Sequence, residues 1–215
     1  PTARKVLTSL KSALKDAQRR GKVAQNVALP VGIDSRTEER EDDGAVIPPR
    51  EHLQILLEKV SDAWRPVLVT AALCGLRPSE LRGLTWEHID FDAKMVRVRQ
   101  RADSRQRLGP VKTRRGNRDV PMSPLALNTL RAWKLACPKG EGGFVFPSTT
   151  GGMMHIPSLS IRLWRPLLKE CGLLNPDGTP PYHFKHLRHC AASFWIKAGA
   201  NPKWVQRVMG HSSIR

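Results

Sequence analysis

The segment from Trp64 to Leu73 is nearly all apolar and constrains this chain more than any other. A helix that is apolar on every side has to lie inside a core. Gly75 then suits a helix C-cap, and Pro78 suits the first position of the next helix. Arg77 is therefore predicted at an N-cap, where an arginine forgoes about 1 kcal/mol of capping energy. Taken alone, this placement is explained as well by an ion pair with Glu80 as by a functional role.

A second group of cations begins another helix. From Leu187 to Ala198, apolar residues recur at the spacing of one helix face, which predicts an amphipathic helix docked on a core. Lys185, Arg188 and His189 lie on a different face, at the end of the helix whose dipole favours anions. A bound phosphate would account for them, because guanidinium groups and free helix amides both bind phosphate. We therefore expect Arg77 and Arg188 to converge on one anion.

The composition indicates a globular protein that binds a polyanion. Of the 215 residues, 40% are hydrophobic, which is enough for a core. The formal net charge of +17 exceeds what solubility requires and favours nucleic acid, with an anionic membrane surface as the rival. No apolar run has the length of a membrane span, and the first residues lack the apolar core of a signal peptide, so a membrane is disfavoured. The four scattered cysteines fit a reducing compartment, which predicts a cytoplasmic location.

An acid-rich segment divides the chain. Residues 1–30 are predicted to form one helix and a short tail, the end of a domain whose remainder lies upstream, because a single helix cannot bury its own apolar stripe. Residues 31–47 are predicted to be a linker, since Asp34 to Asp43 contains six acids, two arginines and no large apolar side chain. Residues 48–215 are predicted to form the main domain.

Between Lys94 and Val120 the pattern changes to alternation, which predicts a small antiparallel sheet with Gly116-Asn117 at its turn. The stretch from Arg97 to Arg118 contains nine basic residues and one acid, Asp103. A solvated surface would mix the two signs, so contact with a nucleic-acid backbone is predicted. The candidate DNA-binding residues are Arg97, Arg99, Arg101, Arg105, Arg107, Arg114, Arg115 and Arg118.

Helices dominate the rest of the main domain. Helical patterns follow Pro48-Pro49 and extend from Pro124 to Ala136 and from Ser158 to Cys171, and a last short helix begins at Asn201-Pro202 and stops at Gly210. The predicted fold class is α+β, mainly α-helical, with a small antiparallel β-sheet.

Four segments resemble, in the right order, the sequence boxes of the tyrosine recombinases, the phage integrase family. The segments are Ala72 to Asp90 with its Gly-Leu-Arg-Pro-Ser-Glu-Leu core, Val111 to Pro121, Lys185 to His189, and Met209 to Ile214. The resemblance covers about Pro48 to the end and implies the catalytic domain of that family, while residues 1–30 resemble the last helix of its core-binding domain.

The resemblance implies site-specific DNA recombination or integration for a phage or another mobile element. The chemistry would be phosphodiester transesterification through a 3′-phosphotyrosyl intermediate. The implied partners are double-stranded DNA and a synaptic homotetramer, and no membrane, cofactor or metal is implied. Two other functions stay open, a non-catalytic DNA-binding regulator of the same fold and a type IB topoisomerase, although the upstream helix and linker resemble integrases more.

Residue roles follow from the resemblance position by position. Arg77 and Arg188 would hold the non-bridging oxygens of the scissile phosphate, and Lys112 would protonate the departing 5′ oxygen. His211 would hydrogen-bond the phosphate. Lys185 stands where the family most often has histidine and would contact the phosphate or transfer a proton. The implied catalytic residues are Arg77, Lys112, Lys185, Arg188 and His211, with Glu80 and His189 in supporting positions.

The nucleophile is the most serious departure from the family pattern. Its tyrosine should follow shortly after His211, but the sequence ends at Arg215. Tyr182, the only tyrosine, precedes the second arginine box and is predicted to pack or to contact the DNA backbone near Lys185. The 215 residues are therefore expected to bind and polarise a phosphate without cleaving the strand, in a natural protein that continues.

Three histidines, His183, His186 and His189, are spaced by three residues and raise the alternative of a metal site. Such spacing should fan the rings around the helix, and no carboxylate is near them in sequence, so a metal site is disfavoured.

Overall fold

The computed structural model describes residues 2–32, 46–111 and 114–210. It divides into two compact units, Pro1–Gly44 and Ala45–Arg215. In the first unit, helix α1 runs over Thr2–Arg19, and Gly21 follows it with a left-handed φ of +67°. The predicted first helix is therefore present. The middle of the predicted linker, residues 33–45, lies outside the described residues.

Helix α3 is the centre of the second unit, as its apolar sequence predicts. Its residues Val67 to Ala72 are almost completely buried, and α3 packs against α5 and α7. Gly75 ends α3 with a φ of +60°. The helices of this unit are α2 (Arg50–Lys59), α3 (Arg65–Cys74), α4 (Pro78–Arg82), α5 (Pro124–Ala136), a π-helix (Ser158–Trp164) that continues into α6 (Arg165–Glu170), α7 (Leu187–Lys197) and α8 (Pro202–Met209).

The strands form two small antiparallel sheets instead of the single one that the alternation predicts. Strands β1 (Ile89–Asp90), β2 (Met95–Val98) and β5 (Arg118–Pro121) pair in the order β1-β2-β5, and β3 (Gln100–Ala102) pairs with β4 (Leu108–Pro110). The turn of the second hairpin lies at residues 103–107. Of the two residues of the predicted turn, Gly116 instead ends a short 3₁₀ helix, Arg114–Gly116, and Asn117 follows it.

Asp103 explains where that hairpin turns. Its carboxylate accepts hydrogen bonds from the backbone N–H groups of Arg105, at 2.8 Å, and Arg107, at 2.9 Å. An aspartate that bonds the backbone a few residues further on stabilises a turn. Gln106 adopts the left-handed conformation there, with a φ of +58°. Asp103, the single acid of the basic stretch, therefore stabilises the turn on which Arg105 and Arg107 lie.

The register between β2 and β5 decides which side chains face the core. Val96 lies opposite Val120, and Val98 lies opposite Arg118. Residues directly opposite each other in an antiparallel pair share a face of the sheet. Because Val98 is buried, Arg118 also points into the protein, whereas Arg97 and its partner residue point outward.

The end of α3, the middle of α7 and the end of α8 meet at Gly75. A Cβ atom on Gly75 would lie 3.2 Å from the Ala191 Cβ and 3.2 Å from the Met209 Sδ, so a larger residue would push these elements apart. Trp195 of α7 packs edge-to-face against Trp204 of α8, with ring centroids 5.6 Å apart. This junction brings the start of α4 close to the end of α8.

None of the helices in the described part of the chain combines the length and the apolar character needed to cross a membrane.

Candidate active site

The carboxylate of Glu80 joins three arginines from different parts of the chain. Glu80 is 3% exposed. Its Oε1 lies 2.8 Å from Arg77 Nη1 and 3.0 Å from Arg118 Nη1, and its Oε2 lies 2.8 Å from Arg118 Nη2. Arg188 Nη1 is 3.8 Å from Oε2. We call these four residues the arginine cluster; three guanidinium groups against one carboxylate leave an excess of two positive charges.

The charge of Glu80 is stabilised by these neighbours. Burial would by itself raise the pKa of this carboxyl group, but the hydrogen bonds and charge of Arg118 and then those of Arg77 lower it more. The pKa of Glu80 therefore lies below its ordinary value, and the side chain is ionised at neutral pH.

Arg77 is the N-cap of α4, as the sequence predicts. Its backbone N–H donates to Glu80 Oε2 at 2.8 Å, and its Nη2 donates to the carbonyl oxygen of Gly210 at 3.2 Å. The ion pair with Glu80 that the sequence left as an alternative is thus formed. The Arg77 side chain nevertheless keeps 39% of its surface exposed, so a ligand can reach it.

Arg188 lies almost buried at the start of α7. Its Nη1 donates to the carbonyl oxygen of Gly75 at 2.6 Å, and its Nη2 donates to that of Met209. Burial, followed by the charge of Arg77, lowers the pKa of Arg188 from 12.5 to about 9, against the opposing effect of Glu80. Arg188 stays protonated at neutral pH, and an added anion would raise its pKa again.

Arg77 and Arg188 therefore come together, and the anion between them in this structure is the carboxylate of Glu80. Their two side chains start from the first turns of α4 and α7, and the carbonyl oxygens of Gly75, Met209 and Gly210 hold their guanidinium groups. The cations that looked misplaced in the sequence are thus partly compensated inside the protein. The remaining positive charge can stabilise an external anion such as a phosphate.

Arg118 departs from its predicted place in an exposed DNA-binding strip. It is buried, its two terminal nitrogens donate to Glu80, and its Nε donates to the Val208 carbonyl oxygen at 2.6 Å. The physical reason is the strand register, which turns Arg118 towards the core beside Val98. Arg118 belongs to the arginine cluster and ties β5 to α8. The alternation in Arg118-Asp119-Val120, with Val120 inward, is the sequence signal that indicates this orientation.

Gly210 closes α8 beside the arginine cluster. It has a left-handed φ of +65°, and a Cβ atom on it would lie 3.0 Å from the Arg115 carbonyl oxygen and 3.3 Å from Arg118 Cδ. Glycine is the residue that adopts this φ without strain. Its small size and conformation let the chain turn next to Arg77 and Arg118.

Lys185 is exposed in a 3₁₀ helix, Phe184–His186, that leads into α7. Burial lowers the pKa of His189, and the charges of Arg188 and Lys185 lower it further. Burial also lowers the pKa of His186, with Lys185 as the next cause. Lys185 therefore lies within electrostatic reach of the α7 start where Arg188 is held.

The three histidines do not fan apart as the spacing suggests. The ring centroids of His183 and His186 are 5.4 Å apart, and those of His186 and His189 are 6.4 Å apart, both in edge-to-face geometry. Across residues 2–32, 46–111 and 114–210, no group of three His, Cys, Asp or Glu side chains has the arrangement of a metal site. The rings pack on each other beside Lys185 and Arg188.

Two of the predicted catalytic residues, Lys112 and His211, lie outside the described residues, as does the side chain of Arg114. The structure describes only the residues that precede them in the chain, Val111 after β4 and Gly210 after α8. The roles of Lys112 and His211 therefore rest on the sequence.

Tyr182 is a packing residue and not an exposed nucleophile. It is 5% exposed, and its hydroxyl group forms a hydrogen bond of 2.5 Å with His52 Nδ1. The Tyr182 carbonyl oxygen accepts from Trp164 Nε1 at 2.7 Å. Burial raises the pKa of Tyr182, which disfavours the phenolate that attack on phosphorus needs. Of its two predicted roles, packing is the one that the structure shows.

The other candidate DNA-binding arginines differ in how far their charge is compensated. Arg97 pairs with Asp90 and Arg99 pairs with Asp119, each at 2.5 Å. Arg101 is partly buried, and its Nε has no hydrogen-bond partner among the described residues. Arg105, Arg107 and Arg115 are exposed.

A family model described as the phage integrase family matches residues 49–215. Tyrosine recombinase XerC of Xylella fastidiosa (strain M23) is 32% identical over 140 residues, which cover 65% of this chain and 42% of that protein. Prophage integrase IntR of Escherichia coli (strain K12) is 31% identical over 168 residues, which cover 67% of this chain and 39% of that protein. The chain thus spans about two fifths of the length of these curated relatives. It belongs to the phage integrase family, the family of the tyrosine recombinases.

Solved structures establish the fold. The Tn1549 transposon integrase in complex with a circular intermediate DNA aligns with a TM-score of 0.73 at 23% identity, covering 99% of this chain and 72% of that one. A lambda integrase tetramer bound to a Holliday junction aligns with a TM-score of 0.68 at 19% identity, covering 98% of this chain and 58% of that one. The predicted α+β, mainly helical fold class is confirmed.

Proposed function

We propose that this chain provides the phosphate-binding part of a site-specific recombinase that breaks and rejoins duplex DNA. The observation that carries the proposal is the arginine cluster, in which Arg77 and Arg188 meet with an excess of two positive charges beside the end of α8. Fixed cationic donors of this kind stabilise the charge that develops on a phosphodiester during attack.

The proposed reaction is a transesterification. The phenolate oxygen of a tyrosine forms a bond to phosphorus while the bond between phosphorus and the 5′ oxygen breaks, and Lys112 gives a proton to the departing 5′ oxygen. Arg77 and Arg188 bind the two non-bridging oxygens, with Lys185 and His211 as further contacts. The two hydrogen bonds of Arg188 to backbone carbonyls use two of its five donors. Glu80 and His189 support the arginines.

The nucleophile is proposed to come from outside these 215 residues. The burial of Tyr182 and its hydrogen bond to His52 support this assignment, because the only tyrosine of the sequence is engaged in packing. The 215 residues by themselves are proposed to bind and polarise a DNA phosphate without cutting the strand.

The proposed partners are duplex DNA and further copies of the same protein in a synaptic tetramer. The relatives support this proposal through the Tn1549 integrase, bound to a circular intermediate DNA, and the lambda integrase tetramer, bound to a Holliday junction. The net charge of +17 supports it independently, because a polyanion is the ligand that such a charge favours.

The proposed organisation has three parts. Residues 1–30 are the last helix of a core-binding domain, residues 31–47 are a linker, and residues 48–215 are the catalytic domain. The division into two compact units and the family match over residues 49–215 support these boundaries.

A nicked suicide substrate tests the proposed function. The 215-residue chain and the natural protein extended at its C-terminus are incubated with the nicked duplex, and a covalent protein–DNA adduct is sought on a denaturing gel. We expect an adduct from the extended protein only. An adduct from the 215-residue chain that disappears in Tyr182→Phe would overturn the assignment of the nucleophile.

Two further outcomes separate the alternatives. An extended protein that binds DNA, carries a tyrosine after His211 and forms no adduct on its cognate site would favour a DNA-binding regulator. An adduct accompanied by plasmid relaxation without strand exchange would favour a type IB topoisomerase. With recombination established, Lys112→Ala should slow release of the 5′ oxygen far more than it weakens binding, because the proton is needed only in the transition state.

A further inference from the structure

A second basic recess lies beside the arginine cluster, between the 115–118 turn and α8. It has a volume of about 640 Å³. Its lining includes Arg115, Asn117, Lys203, Trp204, Gln206 and Arg207, with Arg118 at the back. We call this recess the α8 pocket. Among the described residues, the recombinase sequence boxes contribute to this lining only through the 115–118 turn.

The side chains of the α8 pocket carry positive charge without an acid. Arg118 is compensated by Glu80, but none of the described lining residues has a carboxylate that would compensate Lys203 and Arg207, and α8 itself has no acidic residue. Lys203 and Arg207 are both exposed. The pocket is therefore an exposed concave surface with a positive field.

The arrangement of Lys203 and Arg207 costs the helix stability. Like charges four residues apart on a helix repel each other. Lys203 also lies in the first turn of α8, where the helix dipole disfavours a cation. An anion bound between the two side chains would relieve both effects.

The other walls of the pocket suit a phosphate group of a nucleic-acid strand. Asn117 and Gln206 offer amide donors, and a guanidinium group binds a phosphate with two parallel hydrogen bonds. Trp204 forms a flat apolar wall whose orientation is fixed by its edge-to-face packing on Trp195. A small inorganic anion needs no such wall, whereas the sugar next to a backbone phosphate has an apolar face.

Arg118 connects the α8 pocket to the arginine cluster. Its terminal nitrogens bind Glu80, its Nε binds the Val208 carbonyl oxygen in α8, and its side chain packs on Gly210. Arg118 therefore belongs to both sites, which makes the α8 pocket a neighbour of the phosphate that Arg77 and Arg188 are proposed to hold.

We propose that the α8 pocket binds a second backbone phosphate of the DNA strand that the arginine cluster holds, through Lys203 and Arg207. The proposal rests on the proposed function, because it takes duplex DNA as the ligand. It adds a contact that keeps the scissile strand in register and that is separate from the residues of the reaction.

The double variant Lys203→Gln/Arg207→Gln tests the proposal against a matched control, Arg165→Gln/Lys169→Gln. The control pair is also exposed, also four residues apart, and lies on α6. Both variants lose the same charge. Binding of a fluorescein-labelled duplex is measured by anisotropy as a function of salt. We expect the α8 variant to weaken binding about tenfold and to reduce the steepness of log K against log salt by roughly 1, since one phosphate contact contributes about 0.9.

The outcomes distinguish the two proposals. Equal salt slopes for the α8 variant and its control would overturn the α8 pocket as a phosphate site while leaving DNA binding intact. Absence of salt-dependent binding by the unmodified chain would overturn both. If the α8 variant binds DNA like its control but loses self-association in sedimentation, the pocket is a protein contact and the proposal is wrong. Thermal melting controls for folding, and we expect the DNA-free α8 variant to melt no lower than the unmodified protein, because two repelling charges are removed.

Discussion

Glu80 determines the geometry of three arginines at once. Its carboxylate lies within 3.0 Å of nitrogen atoms of Arg77 and Arg118, and Arg188 is 3.8 Å away. Arg118 and Arg188 are themselves buried. Without the carboxylate, these cations would lose their partner in a site of low polarity, which is the costly way to break a buried ion pair.

The substitution Glu80→Gln should therefore destabilise the protein by about 3 to 5 kcal/mol at neutral pH. The free energy of unfolding is measured by urea denaturation, with Glu58→Gln as the control. Glu58 is an exposed carboxylate on α2, and its loss should change the free energy of unfolding by less than about 0.5 kcal/mol. A Glu80→Gln variant as stable as this control would contradict a structural role of the carboxylate.

The same substitution predicts a change in pH dependence. The pKa of Glu80 is lower in the folded protein than its ordinary value of 4.5. The stabilisation by the ionised carboxylate is therefore complete above that value and is lost as the pH falls through the folded pKa. We expect Glu80→Gln to flatten the dependence of unfolding free energy on pH below 4.5. If the unfolding free energy of Glu80→Gln falls with decreasing pH as steeply as that of the unmodified protein, other carboxylates account for the acid dependence.

The residues of the cluster differ in how far the sequence could predict them. The sequence predicts that Arg77 and Arg188 bind an anion, because a cation at a helix start is unfavourable unless something compensates it. From the sequence, Glu80 can be predicted to pair with its neighbour Arg77, but not to compensate Arg118 and Arg188 as well. The only sequence signal for the inward position of Arg118 is its alternation with Val120, and the pairing of β5 with β2 that fixes this position is a long-range contact.

Among the elements, the helices follow from local sequence signals and the sheets do not. Pro at the first helical position marks the starts of α4 and α8 correctly, and Gly after the last position marks the ends of α3 and α8. The alternation between Lys94 and Val120 predicts strands but cannot distinguish one sheet from two. That outcome depends on the local turn at Asp103 and on how β3 docks against α4, and the docking is a tertiary contact.

Arg82 at the end of α4 holds the β3–β4 hairpin, and the sequence gives no sign of it. Arg82 is 1% exposed. Its Nε donates to the Met154 carbonyl oxygen at 2.6 Å, and its Nη1 donates to those of Ala102, at 3.4 Å, and Asp103, at 3.2 Å. At Gly83, a Cβ atom would lie 2.9 Å from the β3 backbone, so the glycine allows this close approach.

The substitution Arg82→Met should loosen the hairpin. It removes the Arg82 donor from the buried carbonyl groups of Met154 and Ala102 and one of the two donors to the part-buried Asp103 carbonyl, at a cost of about 3 kcal/mol or more. Hydrogen exchange is the informative measurement, because the amide of Asp103, which bonds the Arg107 carbonyl oxygen at 2.9 Å, should exchange faster. Amides of α3 should change no more than global stability requires. Arg131→Met, an exposed arginine on α5, is the control and should leave exchange of the hairpin unaltered.

The arginines of the basic stretch should contribute unequally to DNA binding. Arg97 and Arg99 are neutralised by Asp90 and Asp119, whereas Arg105 and Arg107 lie exposed at the hairpin turn. A cation that already has a carboxylate partner loses that pairing when it binds a phosphate, so its net contribution is smaller. The sequence pattern does not distinguish these four arginines, because the carboxylate partners of Arg97 and Arg99 become apparent only in the structure.

The double variant Arg105→Gln/Arg107→Gln should accordingly weaken duplex binding more than Arg97→Gln/Arg99→Gln, although both lose the same charge. We expect the dissociation constants of the two variants to differ by roughly threefold to tenfold at moderate salt. The slope of log K against log salt should decrease more in the Arg105→Gln/Arg107→Gln variant. Equal losses, or a larger loss for the β2 pair, would mean that the DNA draws Arg97 and Arg99 away from their partners.

At the level of the whole molecule, both units contain basic residues, and the acids of the first unit are concentrated in one stretch. Residues 2–32 contain seven basic residues and one acid, and residues 34–43 contain six acids and two arginines. These two stretches largely cancel, so most of the net charge of +17 belongs to residues 46–215. The arginine cluster, the α8 pocket and the exposed hairpin arginines all lie in that part of the chain.

A chain of residues 46–215 should therefore fold and bind DNA by itself. All hydrogen bonds described for the arginine cluster join residues of the second compact unit, and α3 supplies its core. We expect its melting temperature to differ from that of the 215-residue chain by less than about 3 °C, since no buried contact of that core is removed. The slope of log K against log salt should differ between the two chains by no more than the contribution of one phosphate contact, about 0.9. Calorimetry and salt titration of both chains provide the measurements. If the shorter chain unfolds cooperatively at the same temperature but loses most of its salt dependence, α1 carries the DNA contacts and the basic surface of the second unit does not.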